Sequence, residues 1–379
     1  MKKRLYLLQV ISYTAIMLSI SYTPRIAEQL HATIFEISLL YSFYNLAYFL
    51  SSIIFGRLAD IKGRRIFIIS GFLFSSIAFL LQYFYRDYYS LLLLRVLAGF
   101  AAGIFPAAIV SLAHDIEMKM GKLSAFGALG WAIGSYLAGV LSLFYPFKMT
   151  YVFSSIVFFI AFAVSLTLPE SHVRLQSIPL FPIKIIKRNW ALYASYILRH
   201  SAATMIWAYW PIFVKSIGGN SFWQAATMGI NSTVQFFLMY FYMDIRRYTP
   251  LVIIGLGLSS LTFLGYAFTA NIWMLIPMQA LLAASWSFLY VGSLRYLTDR
   301  NPEKATATGL LNSSIGISAF LGPIIGGAYL YEIKASSGIF LSYFGLYRSL
   351  MILSFILSFV GFILFFVTHR REILLREQI

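Results

Sequence analysis

Of the 379 residues, 60% are hydrophobic and only 11% charged, with a mean hydropathy of +0.79, which leaves too little polar side chain to cover a water-facing surface. A soluble enzyme and a nucleic-acid binder are excluded on that ground, and the absence of cysteine excludes disulfides and thiolate metal sites. The formal charge of +16 has to be weighed against loop topology before any anionic partner is invoked.

The chain opens on a basic start, Met1-Lys2-Lys3-Arg4, followed by an apolar stretch over 5–24. A secretory signal begins this way, but the stretch runs long and lacks a small-residue cleavage site, so an uncleaved first span is expected. Further apolar segments occupy 34–55, 66–84, 90–112, 124–144, 149–168, 190–214, 222–242, 250–268, 272–294, 309–331 and 347–368. With the first they make twelve transmembrane helices, and spans of about 21 residues leave about ten per connection, so no sizeable extramembrane domain fits. Lysine and arginine total 21 in the N-terminus, the even-to-odd connections and the C-terminus, against 6 in the other connections. Both termini are therefore expected in the cytoplasm, in a multi-pass protein of the cell membrane, and most of the net charge is topology.

Span 2 carries Ser38, Tyr41, Asn45, Tyr48 and Ser52 at steps of three and four, a polar face costly against lipid. The connection after it reads Gly56-Arg57-Leu58-Ala59-Asp60-Ile61-Lys62-Gly63-Arg64-Arg65. Its glycine allows a tight turn, Asp60 can accept from Arg64, Arg65 or a neighbouring helix start, and the cations suit the inner leaflet. Span 4 contains Arg95, and span 5 has small residues at Gly127, Gly130, Gly134, Ser135, Ala138 and Gly139 that let helix backbones approach closely. The longest cytoplasmic connection, 169–189, separates residues 1–168 from residues 190–379.

Beyond it, span 7 brings Arg199 beside His200, with Thr204, Trp207 and Pro211. Span 8 has Gln224, Thr227, Asn231 and Gln235 on one face, and span 10 has Gln279, Trp286, Tyr290 and Ser293. Every acidic residue lies in a loop or near a span end, whereas Arg95 and Arg199 enter spans. A charge at that depth normally faces a polar cavity or a partner. With no acid at the midplane, the expected partner is a bound anion or water; snorkelling or a carbonyl contact is the plainer alternative. Candidate cavity residues are accordingly Tyr41, Asn45, Tyr48, Arg95, Arg199, His200, Trp207, Asn231, Gln235, Gln279 and Tyr290.

The chain repeats itself. Asp60 to Gly71 aligns without gaps on Asp244 to Gly255 at an offset of 184, and Gly121, Gly134 and Gly139 match Gly309, Gly322 and Gly327 at 188. A parallel duplication of six spans predicts two pseudo-symmetric six-helix bundles about an axis along the membrane normal, with solute bound between them. The second copy of the connection keeps Asp244, Arg246 and Arg247 but replaces the glycine and basic pattern with Tyr248-Thr249-Pro250.

The 2–3 connection resembles the signature loop of the major facilitator superfamily, and its position after the second of twelve spans is that family's. Arg95 and Gly99 are similar to the Arg-x-x-x-Gly element of the family's fourth helix, and Leu168-Pro169-Glu170 resembles the end of its sixth. The resemblance implies an all-α membrane fold and a secondary transporter that moves a small solute by alternating access, with Gly56, Asp60, Gly63, Arg64 and Arg65 forming a cytoplasmic gate. It implies no catalysis, cofactor or metal; the expected partners are the solute and the bilayer, and the chain is expected to be monomeric. Two arginines and no midplane acid favour an anionic or polar neutral solute. Proton coupling is left open, with His200, Glu28 and Glu36 as its candidates. A multidrug exporter of the same fold and a solute sensor without flux are the alternatives.

Overall fold

The computed structural model of the chain describes residues 1–169, 183–241, 248–302, 304–336 and 345–376, apart from the side chains of residues 60, 114, 120, 304, 305 and 371–376. Each of the twelve apolar segments is helical over most of its described residues. The first half comprises α1 (Lys2–Ile20), α2 (Thr23–Gln29), α3 (Ile34–Lys62), α4 (Arg64–Leu81), α5 (Tyr88–Ala102), α6 (Pro106–Asp115), α7 (Met120–Phe144) and α8 (Met149–Ser165). The second comprises α9 (Ile183–Arg188), α10 (Trp190–Trp207), α11 (Trp210–Ser216), α12 (Ser221–Phe241), α13 (Tyr248–Phe268), α14 (Ile272–Arg300), α15 (Lys304–Ser336) and α16 (Leu346–Arg376).

Nine of the helical stretches among the described residues are long and apolar enough to cross a membrane, and Met149–Ser165 is a shorter apolar helix. Spans 7 and 8 fall outside that set for a physical reason. Arg199 and His200 in one, and Gln224, Asn231 and Gln235 in the other, pull down the hydropathy of segments that are nevertheless helical.

Spans 1, 4 and 7 are each broken in two, and a proline opens each second piece: Pro24, Pro106 and Pro211. Proline has no N–H to continue the ladder and biases the preceding residue away from helical angles. The first and third breaks are copies of one another. Tyr22 sits at φ −122°, ψ 5° and Tyr209 at φ −118°, ψ 6°, and 209 − 22 gives an offset of 187.

Helix crossings repeat as well. A Cβ added to Gly71 would come within 3.0 Å of the Phe105 backbone nitrogen, and one added to Gly255 within 2.5 Å of that of Leu289, both partners displaced by 184. Gly134 packs on the Thr14 carbonyl at 2.6 Å and Gly322 on the Ser201 carbonyl at 2.5 Å by the same measure, at offsets of 188 and 187. Lipid tails are as apolar as leucine, so close backbone packing and interhelical hydrogen bonds hold such bundles together. Those bonds are present: Ser76 and Ser155 donate to each other's carbonyl oxygens at 3.0 and 2.7 Å, and Ser260, displaced from Ser76 by 184, donates to the Ser358 hydroxyl at 3.0 Å.

The helices gather into two compact units. The first is Met1–Gln176 with Tyr209–Tyr240, and the second is Ser177–Ala208 with Phe241–Ile379. The first has a core built around Phe72, Phe79, Phe105 and Phe158, and the second around Tyr196, Leu256, Leu289 and Tyr296. Span 7 is divided between them at its break.

Candidate functional site

In the first unit, the 2–3 connection is a turn between two long helices. Gly63 ends α3 and starts α4 at φ 97°, ψ 142°, a conformation that L side chains avoid. Gly56, one α-helical face earlier, lies where any Cβ would come within 2.9 Å of the Ala107 Cβ on α6. Arg64 pairs with Asp115 at the end of α6 and donates to the Ser111 carbonyl at 2.7 Å. Arg65 donates to the Leu166 carbonyl at 3.1 Å, Arg4 to that of Thr167 at 2.5 Å, and Lys2 to that of Glu117 at 3.2 Å. Four cations from two helix starts, those of α1 and α4, thus satisfy carbonyls at the C-terminal ends of α6 and α8, where the backbone has no helical donors left and the helix dipole favours positive charge.

Asp115, fifty-one residues away from Arg64, is the partner that the connection's own spacing does not reveal. The side chain of Asp60 lies outside the described residues, as do Glu170, Asp244, Arg246 and Arg247, so the second copy of the connection does too. Replacing Arg64 with Ala removes the contacts to Asp115 and Ser111 and is expected to raise alkylation of a single cysteine placed at buried Leu168 several-fold, whereas Asp115→Asn, which spares the Ser111 bond, has a smaller effect. Because the chain has no native cysteine, the label reads one site. Equal labelling in parent and both variants would mean that the tie does not hold this end closed.

Deeper in the first unit, Arg95 is fully buried on α5. One Nη donates to the Ser19 hydroxyl at 3.1 Å and to Gln82 Oε1 at 3.2 Å, and the guanidinium lies over the Tyr44 ring at 4.1 Å. Its charge therefore meets two acceptors and an aromatic face, which offsets part of its desolvation, while its Nε and other Nη are buried without a hydrogen-bond partner. Of the span 2 stripe, Asn45 is turned back on the Tyr41 carbonyl at 2.8 Å, Ser52 donates to the Gly103 carbonyl of span 4 at 3.1 Å, and half-buried Tyr48 packs against the core. Span 8, in the same unit, has Gln235 donating to Asn231 Oδ1 at 2.5 Å, while Thr227 receives the Trp210 indole N–H at 2.9 Å.

The second unit holds the other arginine in a different setting. Arg199 is fully buried, and its Nε donates to the Ser259 hydroxyl at 2.8 Å. Ser259 donates onward to Ser285 at 3.0 Å, and Ser285 to the Leu282 carbonyl at 2.8 Å, so the guanidinium plane is set by a chain of hydroxyls across α13 and α14. Both terminal nitrogens of Arg199, and the Nδ1 of neighbouring His200, are buried without a hydrogen-bond partner. Around them stands an aromatic cluster. Arg199 Cζ is 5.1 Å from the Trp286 ring and 5.7 Å from Phe263; the His200 ring is 5.2 Å from Trp286 and 5.6 Å from Trp207; Trp286 and Tyr290 lie parallel, 11° apart and 5.6 Å between centroids.

Five sequence candidates are therefore placed on the second unit: Arg199, His200 and Tyr290 come together around Trp286, Trp207 packs on His200, and Gln279 is buried two helical turns away on α14. Tyr41, Asn45, Tyr48, Arg95, Asn231 and Gln235 belong to the first unit. Thr204 serves packing, its hydroxyl bonded to the Ser318 carbonyl of α15 at 3.0 Å. Trp286, Phe263, Ser259 and, through it, Ser285 also surround Arg199, and the buried Tyr196 and Tyr266 interact with it electrostatically. Trp286 sits on the span 10 stripe; the two serines carry no sequence signal, because hydroxyls within apolar spans are common.

The family model described as Major Facilitator Superfamily matches residues 5–246 and 221–377. A relative named an uncharacterized MFS-type transporter, from Methanocaldococcus jannaschii, is 23% identical over 368 residues, covering 88% of this chain and 95% of its own. The quinolone resistance protein NorA of Staphylococcus aureus is 22% identical over 353 residues, covering 87% of this chain and 89% of that one. The multidrug resistance protein MdtG of Proteus mirabilis is 31% identical over 116 residues, 29% of each chain. Among solved structures, the nucleoside transporter NupG superposes with a TM-score of 0.76 at 14% identity, covering 96% of this chain and 98% of that one. A bacterial homologue of the human lysosomal transporter Spinster gives 0.75 at 17% identity, covering 97% and 96%.

Proposed function

From the premise that this chain belongs to the major facilitator superfamily and is a secondary transporter of a small solute through a lipid membrane, we propose that its solute carries negative charge and is recognised in the second unit by Arg199. The observation that carries this reading is a fully buried guanidinium with two terminal nitrogens lacking any protein acceptor. A cation at that depth costs about 2.5–3.5 kcal/mol on insertion scales. A solute anion that supplies the missing acceptors offsets this during transport, and water fills the role between cycles.

The moving halves are residues 1–168 and 190–379, joined by 169–189; the repeated crossings of Gly71 and Gly255, and of Gly134 and Gly322, support two equivalent bundles. The Arg64, Arg65, Arg4 and Lys2 contacts act as the cytoplasmic gate, and the lysine and arginine bias supports a cell-membrane protein with both termini on the cytoplasmic side. The protein works as a monomer, without chemical conversion of its solute. Proton coupling runs through His200, the neighbour of the solute-facing arginine, whose Nδ1 is buried without a hydrogen-bond partner.

One observation favours a second reading. NorA and MdtG are named for quinolone and multidrug resistance, which suits export of an amphipathic drug across the same aromatic wall. Purified protein in liposomes separates these readings. Flux of small organic anions that depends on the protein, and a change in that flux when a proton gradient is imposed or collapsed, supports an anion carrier and assigns the coupling. Flux of hydrophobic cations with no anion flux supports the drug exporter. Binding without flux of either supports a sensor.

A further inference from the structure

We propose that Tyr22 and Tyr209 are positioning residues for transport: a matched pair of phenol latches that holds shut the end of the protein where spans 1 and 7 break, and that releases as one when that end opens. The inference rests on the reading of residues 1–168 and 190–379 as moving halves, and goes beyond it in naming the groups that hold one end of the cycle.

A tyrosine buried among apolar helices needs a partner for its hydroxyl. Tyr22 and Tyr209 are both buried, and each finds that partner far along the chain. Tyr22, at the break of span 1, donates to the backbone carbonyl of Ser221, the first residue of α12. Tyr209, at the break of span 7, donates to the carbonyl of Ile34, the first residue of α3, at 2.7 Å. The donors differ by 209 − 22 = 187 and the acceptors by 221 − 34 = 187, so each contact is the repeat-related copy of the other. They are also reciprocal. The first half donates to the second in one contact and accepts from it in the other, which is the pattern of a two-fold interface. Each acceptor opens a helix, and a carbonyl oxygen bonded within a helix keeps a second lone pair for such a donor. Neighbouring groups hold both latches in place: the Tyr22 ring lies parallel to Phe147 at 4.5 Å between centroids with its hydroxyl 3.0 Å from that of Ser142 on α7, and Trp210, next to Tyr209, donates its indole N–H to Thr227 of α12. All of these residues belong to the first compact unit, which takes in Tyr209–Tyr240 although they follow the long connection. The Arg64–Asp115 tie lies at the far end of the same unit, because α3 runs 29 residues from Ile34 to Lys62 and Arg64 follows it. The two ties therefore guard opposite ends, and the phenol contacts join residues of both halves. A phenol that exchanges its carbonyl for water on opening shifts the balance by about two- to tenfold, enough to favour closure and little enough to release in every cycle.

The test uses the full-length protein in detergent, alkylated with N-ethylmaleimide at a single introduced cysteine, the chain having none of its own. The cysteine is placed at Ala138, buried in one cluster with Tyr22, at Ile37, buried one turn along α3 from Ile34, or at Leu168 near the other end. Tyr22→Phe and Tyr209→Phe each delete one hydroxyl and keep the ring. Expected is that either variant raises the labelling rate at both 138 and 37 by about two- to tenfold, that the double variant raises it by about the product, and that labelling at 168 does not rise. The cross-effect carries the test, since a local packing role for either tyrosine would be felt only at the reporter beside it. Should Ala138→Cys not fold, Ala225→Cys, in the same cluster, takes its place. Labelling raised by each variant only beside itself would overturn the pair, and an equal rise at 168 would show general loosening in place of a latch. Parent and variants labelling at one measurable rate at 138 and 37 would sink the latch and leave the moving halves standing. No labelling at either site in any of them, in protein whose unfolded form labels fully, would sink both readings.

Discussion

Arg199→Gln is expected to lower protein-dependent flux of an organic anion by roughly 30-fold or more, the effect of removing one partner of a buried charged contact, while leaving the unliganded protein as stable as the parent or more so. The two halves of that result have one cause. In the unliganded protein the guanidinium is fully buried, only its Nε is hydrogen-bonded, and its ring contacts, at 5.1 Å to Trp286 and 5.7 Å to Phe263, are longer than the 4.1 Å of Arg95 to Tyr44, so more of its charge is a cost to folding that a neutral amide relieves. Groups held at such a cost are retained where function needs them. Arg95→Gln supplies the contrast. It removes the contacts to Ser19, Gln82 and the Tyr44 ring and is expected to destabilise the first unit by about 1–3 kcal/mol with a smaller loss of flux. Thermal unfolding in detergent, paired with liposome flux for both variants, distinguishes the roles. A large drop in the melting temperature of Arg199→Gln with flux retained would make that arginine structural.

The second large effect is expected at a helix crossing. Gly255→Ala places a Cβ within 2.5 Å of the Leu289 nitrogen and 2.8 Å of its Cα. Those are backbone atoms of α14 and cannot rotate away, so α13 and α14 must separate, at a cost of about 1–3 kcal/mol or more. Gly309→Ala, a helical glycine whose added Cβ meets nothing within 4 Å, is expected to stabilise by about 0.5–1 kcal/mol, since alanine loses less backbone freedom on ordering. Opposite shifts in melting temperature are therefore predicted for the same chemical change at two sites of one protein. Equal shifts would show that close approach at Gly255 does not limit stability.

Gly63 gives a third measure. Its φ of 97° with ψ of 142° makes Gly63→Ala strained by about 1–3 kcal/mol, and the strain falls on the turn that presents Arg64 to Asp115. A lower melting temperature together with faster labelling at residue 168 is expected; a lower melting temperature alone would separate the turn from the tie.

Much of this protein was legible in its sequence, and the reason is that the membrane makes structure local. A span is recognised from its own length and hydropathy, because its backbone satisfies itself within the helix. The repeat is an offset between residues, and it survives in the structure as matched crossings and matched breaks at Tyr22 and Tyr209. The depth of Arg95 and Arg199, and the lack of an acid at that depth, also follow from counting along the chain.

What the sequence left open is which side chains meet. Two arginines in apolar spans look equivalent until Arg95 is found over Tyr44 with two acceptors and Arg199 beside Trp286 with one. Arg64 could be paired within its own connection on spacing alone, but its structural partner is Asp115, at the end of another helix. Ser52 and Thr204 sit on polar stripes yet bond to neighbouring helices. In each case the deciding contact joins helices far apart in the chain, and whether it forms depends on how closely the backbones cross and how each helix is rotated about its axis. Apolar length and periodicity determine that a helix spans and which face is polar; only the packing at the glycine crossings determines which neighbour that face meets.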